Sequence, residues 1–245
     1  MYNSNNSFNN YTQDQYQGVS ISRSFVANVF SWMFAALAIT AVVAYYFSTN
    51  ETFLSMMYTV SNGYAQMSAF GWIIIFAPLG FVLLMSIGYN RLSGFALTIL
   101  FIIYSFIMGL SLSFIFLVYS LGSIYSTFAI TAGTFGLMAV LGYTTKIDLT
   151  KFGSIMLMGL FGIIIASVVN FFLHSEQMSY IISIIGVLVF TGLTAYDVQK
   201  IKRIGAGIEL GNESARKMAI MGALTLYLDF INLFLFLLRL FGSRR

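Results

Sequence analysis

Two carboxylates stand where the sequence is otherwise apolar. Asp14, Glu51, Asp148, Glu176, Glu209 and Glu213 fall in tails or between apolar stretches, but Asp197 and Asp229 do not. Asp197 lies near the end of one apolar stretch, in Thr191-Gly-Leu-Thr-Ala-Tyr-Asp-Val-Gln-Lys. Asp229 lies well inside the next, in Leu226-Tyr-Leu-Asp-Phe-Ile-Asn-Leu-Phe. An ionisable group at the centre of a membrane helix costs about 2.5–3.5 kcal/mol on insertion scales, so such groups normally face the bundle interior and mark an ion or proton path. Asp197 also has a plainer reading. It precedes Lys200 by one helical turn and fits an interfacial acid beside a snorkelling lysine.

Helical spacing puts Gly222, Thr225, Asp229 and Asn232 on one face, and Thr191, Thr194 and Asp197 on one face of the preceding helix. Packed as neighbours, the two helices would bring the carboxylates together. The competing reading is that the threonines and Asn232 hydrogen-bond backbone within the bundle. Depth is the obstacle. At about 1.5 Å per residue, Asp229 sits several ångströms deeper than Asp197. The pair meets only if the last helix begins in the interface or the helices cross at an angle. Two such carboxylates do not easily both ionise, and they titrate as a unit. Sharing one proton, they form a clasp between two helices. Without it, they repel or bind a cation. Hard oxygen ligands suit Ca²⁺ better than a transition metal. With only the Asn232 amide added, the shell is incomplete, which suits a path better than a storage site. Thr194 and Tyr196 are candidates for supporting hydrogen bonds, with packing as the alternative.

The elements that must position these residues are membrane helices. The chain has 245 residues, 59% apolar and 8% charged, against about 25% charged in a soluble domain. Apolar surface on that scale needs a bilayer as solvent. Seven stretches approach the roughly 20 residues of a span: Phe25–Phe47, Phe70–Gly88, Gly94–Val118, Ile124–Tyr143, Phe152–Leu173, Tyr180–Ile201 and Met218–Phe241. The reading is an all-α membrane protein with a single seven-helix domain over 23–245. Residues 1–22 form a polar tail, expected to be disordered, with no signal-peptide pattern. Spanning strands are excluded by the lack of alternation and by the cost of open sheet edges in hydrocarbon. Gly109, Gly133, Gly136, Gly159 and Gly162 are expected to let helices approach closely. The absence of cysteine excludes disulfides and thiolate metal sites. The net charge of +4 is spread over loops and points to topology, not to nucleic acid.

Numbering the loops alternately, one side receives Arg23, Arg91, Lys146, Lys151, Lys200, Lys202, Arg203, Arg216 and Lys217. The other receives only acids and His174 before the last stretch. The basic side is cytoplasmic by the positive-inside rule, and so is the N-terminus. Seven spans then leave Arg239, Arg244 and Arg245 outside, against the rule. A re-entrant last stretch would bring them in, but the run is long enough to span. His174 reads as a polar helix end, with pH sensing as the sharper alternative.

The two aspartate segments carry a family resemblance. Phe190-Thr-Gly-Leu-Thr-Ala-Tyr-Asp-Val-Gln-Lys-Ile-Lys together with Ala223-Leu-Thr-Leu-Tyr-Leu-Asp-Phe-Ile-Asn-Leu-Phe-Leu-Phe-Leu-Leu-Arg resembles the Bax inhibitor-1 family, in its bacterial YccA-like branch. Gly109-Leu-Ser-Leu-Ser-Phe-Ile-Phe and Thr131-Ala-Gly-Thr-Phe-Gly add to it, and the likeness covers nearly all of the chain after residue 20. The resemblance implies a seven-helix bundle of the inner membrane with the last helix central, wrapped by the other six. It implies a pH-sensitive calcium leak controlled by an aspartate pair, which the motifs place at Asp197 and Asp229. It also implies an arginine latch, for which Arg91 is the only basic residue in the right region. Association with a membrane protease or other membrane protein is a further implication.

Competing readings are a non-conducting regulator of a membrane protease, an intramembrane aspartyl protease and a proton-coupled transporter. Against the protease, Asp229 sits in Tyr-Leu-Asp and the only proline is Pro78, so the Gly-x-Gly-Asp and Pro-Ala-Leu motifs are missing. Against the transporter, no pair of similarly interrupted stretches stands out. The expectation is a non-enzymatic membrane protein that needs no cofactor, with calcium as a transported or weakly bound ion, Asp197 and Asp229 as its site, Asn232 lining the path and Arg91 as latch.

Overall fold

A computed structural model describes residues 5–61, 64–208 and 211–244, so Met1, Glu209 and Arg245 lie outside the described residues. The elements are α1 (Asn5–Ser48), α2 (Glu51–Met57), β1 (Tyr58–Ser61), β2 (Tyr64–Met67), α3 (Ala69–Gly88), α4 (Gly94–Leu112), α5 (Ile115–Val118), α6 (Leu121–Thr144), α7 (Thr150–Leu173), α8 (Glu176–Ala206) and α9 (Glu213–Phe241). Seven segments are long and apolar enough to cross a membrane, and they match the seven stretches read from the sequence.

Local sequence fixes where the spans begin. Ser68, Ser93, Ser120, Ser175 and Asn212 each cap a helix, with the side chain accepting from a backbone N–H one turn on. The third span is broken near its outer end. α4 stops at Leu112, the Ser113 hydroxyl turns back to the Leu110 carbonyl at 2.7 Å, and the short α5 follows. The first helix is longer than its apolar run. The tail, expected from composition to be disordered, is helical from Asn5 onward and continuous with the span. Extending an existing helix adds a hydrogen bond per residue without a new nucleus. The 48–69 connection holds α2 and an antiparallel hairpin pairing Tyr58 with Met67. These strands lie between spans, outside the hydrocarbon.

The last helix forms the axis of the bundle. α9 packs against α8, α1, α6 and α4, whereas α7 packs chiefly on α8 and α3 chiefly on α4. Of the most apolar window of each span, 61% is buried in α9 and 6% in α7. Four spans therefore wrap α9 directly, and two stand outside them. Gly109 and Gly159 do allow close approach: a Cβ on Gly109 would lie 2.7 Å from Val43 Cβ, and one on Gly159 would lie 2.9 Å from Val189 Cγ2. Gly133, Gly136 and Gly162 would have nothing within 4 Å of an added Cβ, so the expectation of helix contact at them is corrected. They stand on faces turned away from the bundle.

α9 is continuous from Glu213 to Phe241, so the re-entrant alternative is excluded. Its far end meets the α5–α6 connection. Tyr119 pairs with Arg244, the Ser120 N–H donates to the Ser243 carbonyl at 3.1 Å, and the Ser243 N–H donates to the Ser123 hydroxyl at 2.9 Å. The C-terminus is therefore at the end opposite the basic loops.

Candidate functional site

The site is built where α8 passes between α6, α7 and α9. Small residues set the spacing. Gly142 of α6 faces the backbone carbonyl of Ala195, and Gly153 of α7 lies under the ring of Tyr196. A side chain at either position would push α8 away. α8 then presents Asp197 toward α9, and α9 presents Asp229. Both are buried, at 8% and 4% exposure.

The two carboxyl groups lie within hydrogen-bonding reach of each other. Ionised carboxylates are acceptors only, so a hydrogen bond between them requires a proton on one. Oδ2 of Asp229 is buried without a hydrogen-bond partner. The depth obstacle is met by the start of α9. The helix begins at Glu213, ahead of its apolar run, and its first turns carry Glu213, Arg216 and Lys217 in the interface.

Two cavities lie beside the pair. One, of about 350 Å³, is lined by Phe25, Ser86, Tyr89, Ile204, Met218 and Met221, with Asp197, Lys200 and Thr225. The other, of about 300 Å³, reaches deeper and is lined by Leu157, Leu160, Tyr196, Leu228, Asp229 and Asn232, again with Asp197, Lys200 and Thr225. Asp197, Lys200 and Thr225 line both cavities, and Asp229 lines only the deeper one.

The structure sorts the remaining sequence candidates. Asn232 lines the deeper chamber with Asp229, and its amide nitrogen donates to the Leu228 carbonyl at 2.8 Å. Thr194 donates to the Phe190 carbonyl at 2.7 Å, and Thr225 to the Met221 carbonyl at 3.0 Å. These hydroxyls are engaged by their own helices, so the supporting bond expected from Thr194 is not made. Tyr196 contributes its ring to the chamber wall. Arg91 is exposed in the α3–α4 turn, where its N–H and that of Leu92 both donate to the Gly88 carbonyl. It lines neither cavity, so the latch expected of it is not formed in this structure. Lys200 is the cation at the pair. His174 lies at the far end of the bundle, as the left-handed C-cap of α7.

Sequence reasoning missed two arrangements. Beyond Asp197, α8 clamps the α6–α7 connection. Gln199 donates to the Ile147 carbonyl at 2.8 Å and accepts from the Leu149 N–H at 2.9 Å, and Lys202 donates to the Tyr143 carbonyl at 2.7 Å. Arg203 pairs with Asp148 at 2.6 Å. Hydrogen bonds from the Thr150 hydroxyl, from Arg203 and from the Thr150 N–H hold the Asp148 carboxyl well below the usual carboxylate range. The one-turn spacing of Gln199, Lys202 and Arg203 was the available signal. The second arrangement lies on the other face of α9, where the Tyr227 hydroxyl sits 2.7 Å from that of Thr40. Thr40 donates to the Ser105 carbonyl at 2.8 Å, so its oxygen accepts the Tyr227 proton.

As a cation site the pair is sparse. Calcium takes about six to eight oxygens, and no group of three or more acidic or histidine side chains gathers among the described residues.

Known proteins share this chain's sequence over nearly its full length. Inner membrane protein YbhL of Escherichia coli (strain K12) is 47% identical over 224 residues, covering 91% of this chain and 93% of that protein. A protein of Borreliella burgdorferi is 47% identical over 234 residues, covering 96% of this chain and 97% of its own length. Protein RP147 of Rickettsia prowazekii is 44% identical over 223 residues, covering 91% of each chain. With a seven-span bundle and an inner-membrane relative of nearly the same extent, the chain is an integral protein of the inner membrane. The family model described as "Inhibitor of apoptosis-promoting Bax1" matches residues 22–245, and the chain belongs to this Bax inhibitor family.

Proposed function

We propose that the protein is a pH-sensitive calcium leak of the inner membrane, gated by Asp197 and Asp229. The observation that carries this reading is the meeting of the two buried carboxyls beside two cavities that Asp197 lines in common, one at the cytoplasmic end and one deeper. A proton shared by the pair keeps α8 and α9 clasped. When it leaves, two like charges face each other in a poorly solvated place. They part, or a divalent cation takes the proton's position. Asn232 supplies the next oxygen inward. Lys200 sets the charge beside the pair. Arg91 acts as a latch only when the α3–α4 turn folds over the cavity that Tyr89 lines.

The test is calcium entry into dye-loaded liposomes between about pH 6 and pH 8. Flux rising with pH, above that of empty liposomes, is the expected result. No flux from protein shown to be folded would sink the reading and leave a non-conducting partner of another membrane protein.

A further inference from the structure

Arg239 and Arg244 break the charge topology of the chain, and the structure shows where they go. They line a cavity of about 420 Å³ at the outer end of the bundle, facing His174, Glu176, Asn170 and Tyr180 across it. Lys and Arg are depleted from outer connections, so two exposed arginines at this end stand out. Glu176 pairs with neither: among the described residues the only ion pair is Arg203–Asp148, at the opposite end. Arg239 rests over the Phe236 ring with its guanidinium carbon 5.8 Å from the ring centroid.

The wall opposite the arginines is fixed. Asn170 spends both ends of its amide on the α7–α8 turn, donating to the Ser179 hydroxyl at 2.7 Å and accepting from the Ser175 N–H at 3.1 Å. His174 holds the turn in a left-handed conformation with φ 51°. Beside this wall, Phe171, Phe172 and Leu173 are exposed on the lipid-facing end of α7. The cavity therefore combines two guanidinium groups and one carboxylate at the outer end of the bundle, and the exposed apolar residues that precede His174 in the chain lie outside its lining.

We propose that this cavity binds the headgroup of an outer-leaflet glycerophospholipid. The two arginines hold the phosphodiester, whose geometry a guanidinium matches with paired N–H donors. Glu176 receives the ammonium where the headgroup carries one, and the acyl chains lie along Phe172 and Leu173. A free phosphate would use the arginines and leave Phe172 and Leu173 idle. The bound lipid ties the α7–α8 turn to the end of α9. This proposal stands apart from the leak reading and survives its failure.

The experiment is thermal unfolding of the purified full chain in nonionic detergent. The probes are short-chain phosphatidylglycerol, short-chain phosphatidylethanolamine and inorganic phosphate. The wild type is compared with Arg239→Gln, Arg244→Gln and Glu176→Gln, and each unliganded midpoint reports whether the variant folds. Both lipids are expected to raise the wild-type midpoint by several degrees, in proportion to the logarithm of concentration above saturation. Either arginine variant should lose more than half of that shift. Glu176→Gln should lose the phosphatidylethanolamine shift alone. Should Arg239→Gln fail to fold, Arg244→Gln, which lies beyond the helix, carries the test. An equal shift in wild type and Arg244→Gln would overturn the proposal, as would a full shift from inorganic phosphate, which would mark a free-anion site.

Discussion

Asp197 and Asp229 meet side chain to side chain across the α8–α9 contact, each with a hydroxyl-bearing neighbour that looks away from it. Thr194 and Thr225 both return their protons to their own helices, so the carboxyls have chiefly each other. A unit of this kind predicts non-additivity. Asp197→Asn and Asp229→Asn should each flatten the rise in calcium flux between about pH 6 and pH 8 to less than twofold. The double variant should be no flatter than either single. Liposome flux on all four proteins checks this, and independent, additive effects would show that the residues titrate separately.

On the opposite face of α9, the Tyr227–Thr40–Ser105 chain predicts an ordering of stabilities. Tyr227→Phe removes one hydrogen bond and should cost about 0.5–1.5 kcal/mol. Thr40→Val leaves the buried Tyr227 hydroxyl without an acceptor and should cost more, about 1–3 kcal/mol. Adding Tyr227→Phe to Thr40→Val should then recover part of the loss. Unfolding midpoints of the three variants decide the matter, and a larger cost for Tyr227→Phe would refute the assignment of donor and acceptor.

Two glycines of α6 should respond in opposite directions to the same substitution. Gly142→Ala drives a methyl into the Ala195 carbonyl, which is backbone and cannot step aside. Overpacking of this sort costs about 1–3 kcal/mol, and it should also separate α6 from α8. Gly133→Ala meets nothing and should be neutral or stabilising by up to about 1 kcal/mol. Thermal unfolding of the two variants side by side is the measurement.

The exposed Asp148 cluster makes a prediction about what will not change near neutrality. Its carboxyl is held low in the folded protein by Thr150 and Arg203. The stabilisation is therefore fully present above the ordinary carboxylate range, and is lost only as pH falls below about 4 toward the folded value. Asp148→Asn should leave the response of flux between about pH 6 and pH 8 unaltered, and should weaken the acid dependence of unfolding below about pH 4. A changed flux response near neutrality would relocate the sensor to the α6–α7 connection.

Much of the fold was readable because hydrocarbon demands long, self-satisfied helices. The seven apolar runs could hardly be anything else, and Asp229 stood out among them because an acid there is costly. Which spans lie inside was not readable. Lipid is as apolar as a protein core, so α7 and α9 are both apolar enough to span although one is peripheral and the other axial. For the same reason Gly133 and Gly142 are equivalent as letters and differ entirely in surroundings. Arg91 could be placed in the right connection, but the carbonyl of Gly88 decides where that turn points. The fate of the C-terminal arginines depended on pairing between Tyr119 and Arg244, residues far apart in the chain. The spacing of Gln199, Lys202 and Arg203 was visible, but its partners on the α6–α7 connection were not.

The axial position of α9 has a consequence for biogenesis. The helix that α1, α4, α6 and α8 all touch is made after every one of them. Until it arrives, α1 can settle on α4, and α8 on α6 and α1, but the axis on which the bundle closes is missing. Completion of the bundle is in this sense held back until α9 inserts. A message truncated just before Glu213 yields six spans around a missing centre, a natural substrate for membrane quality control.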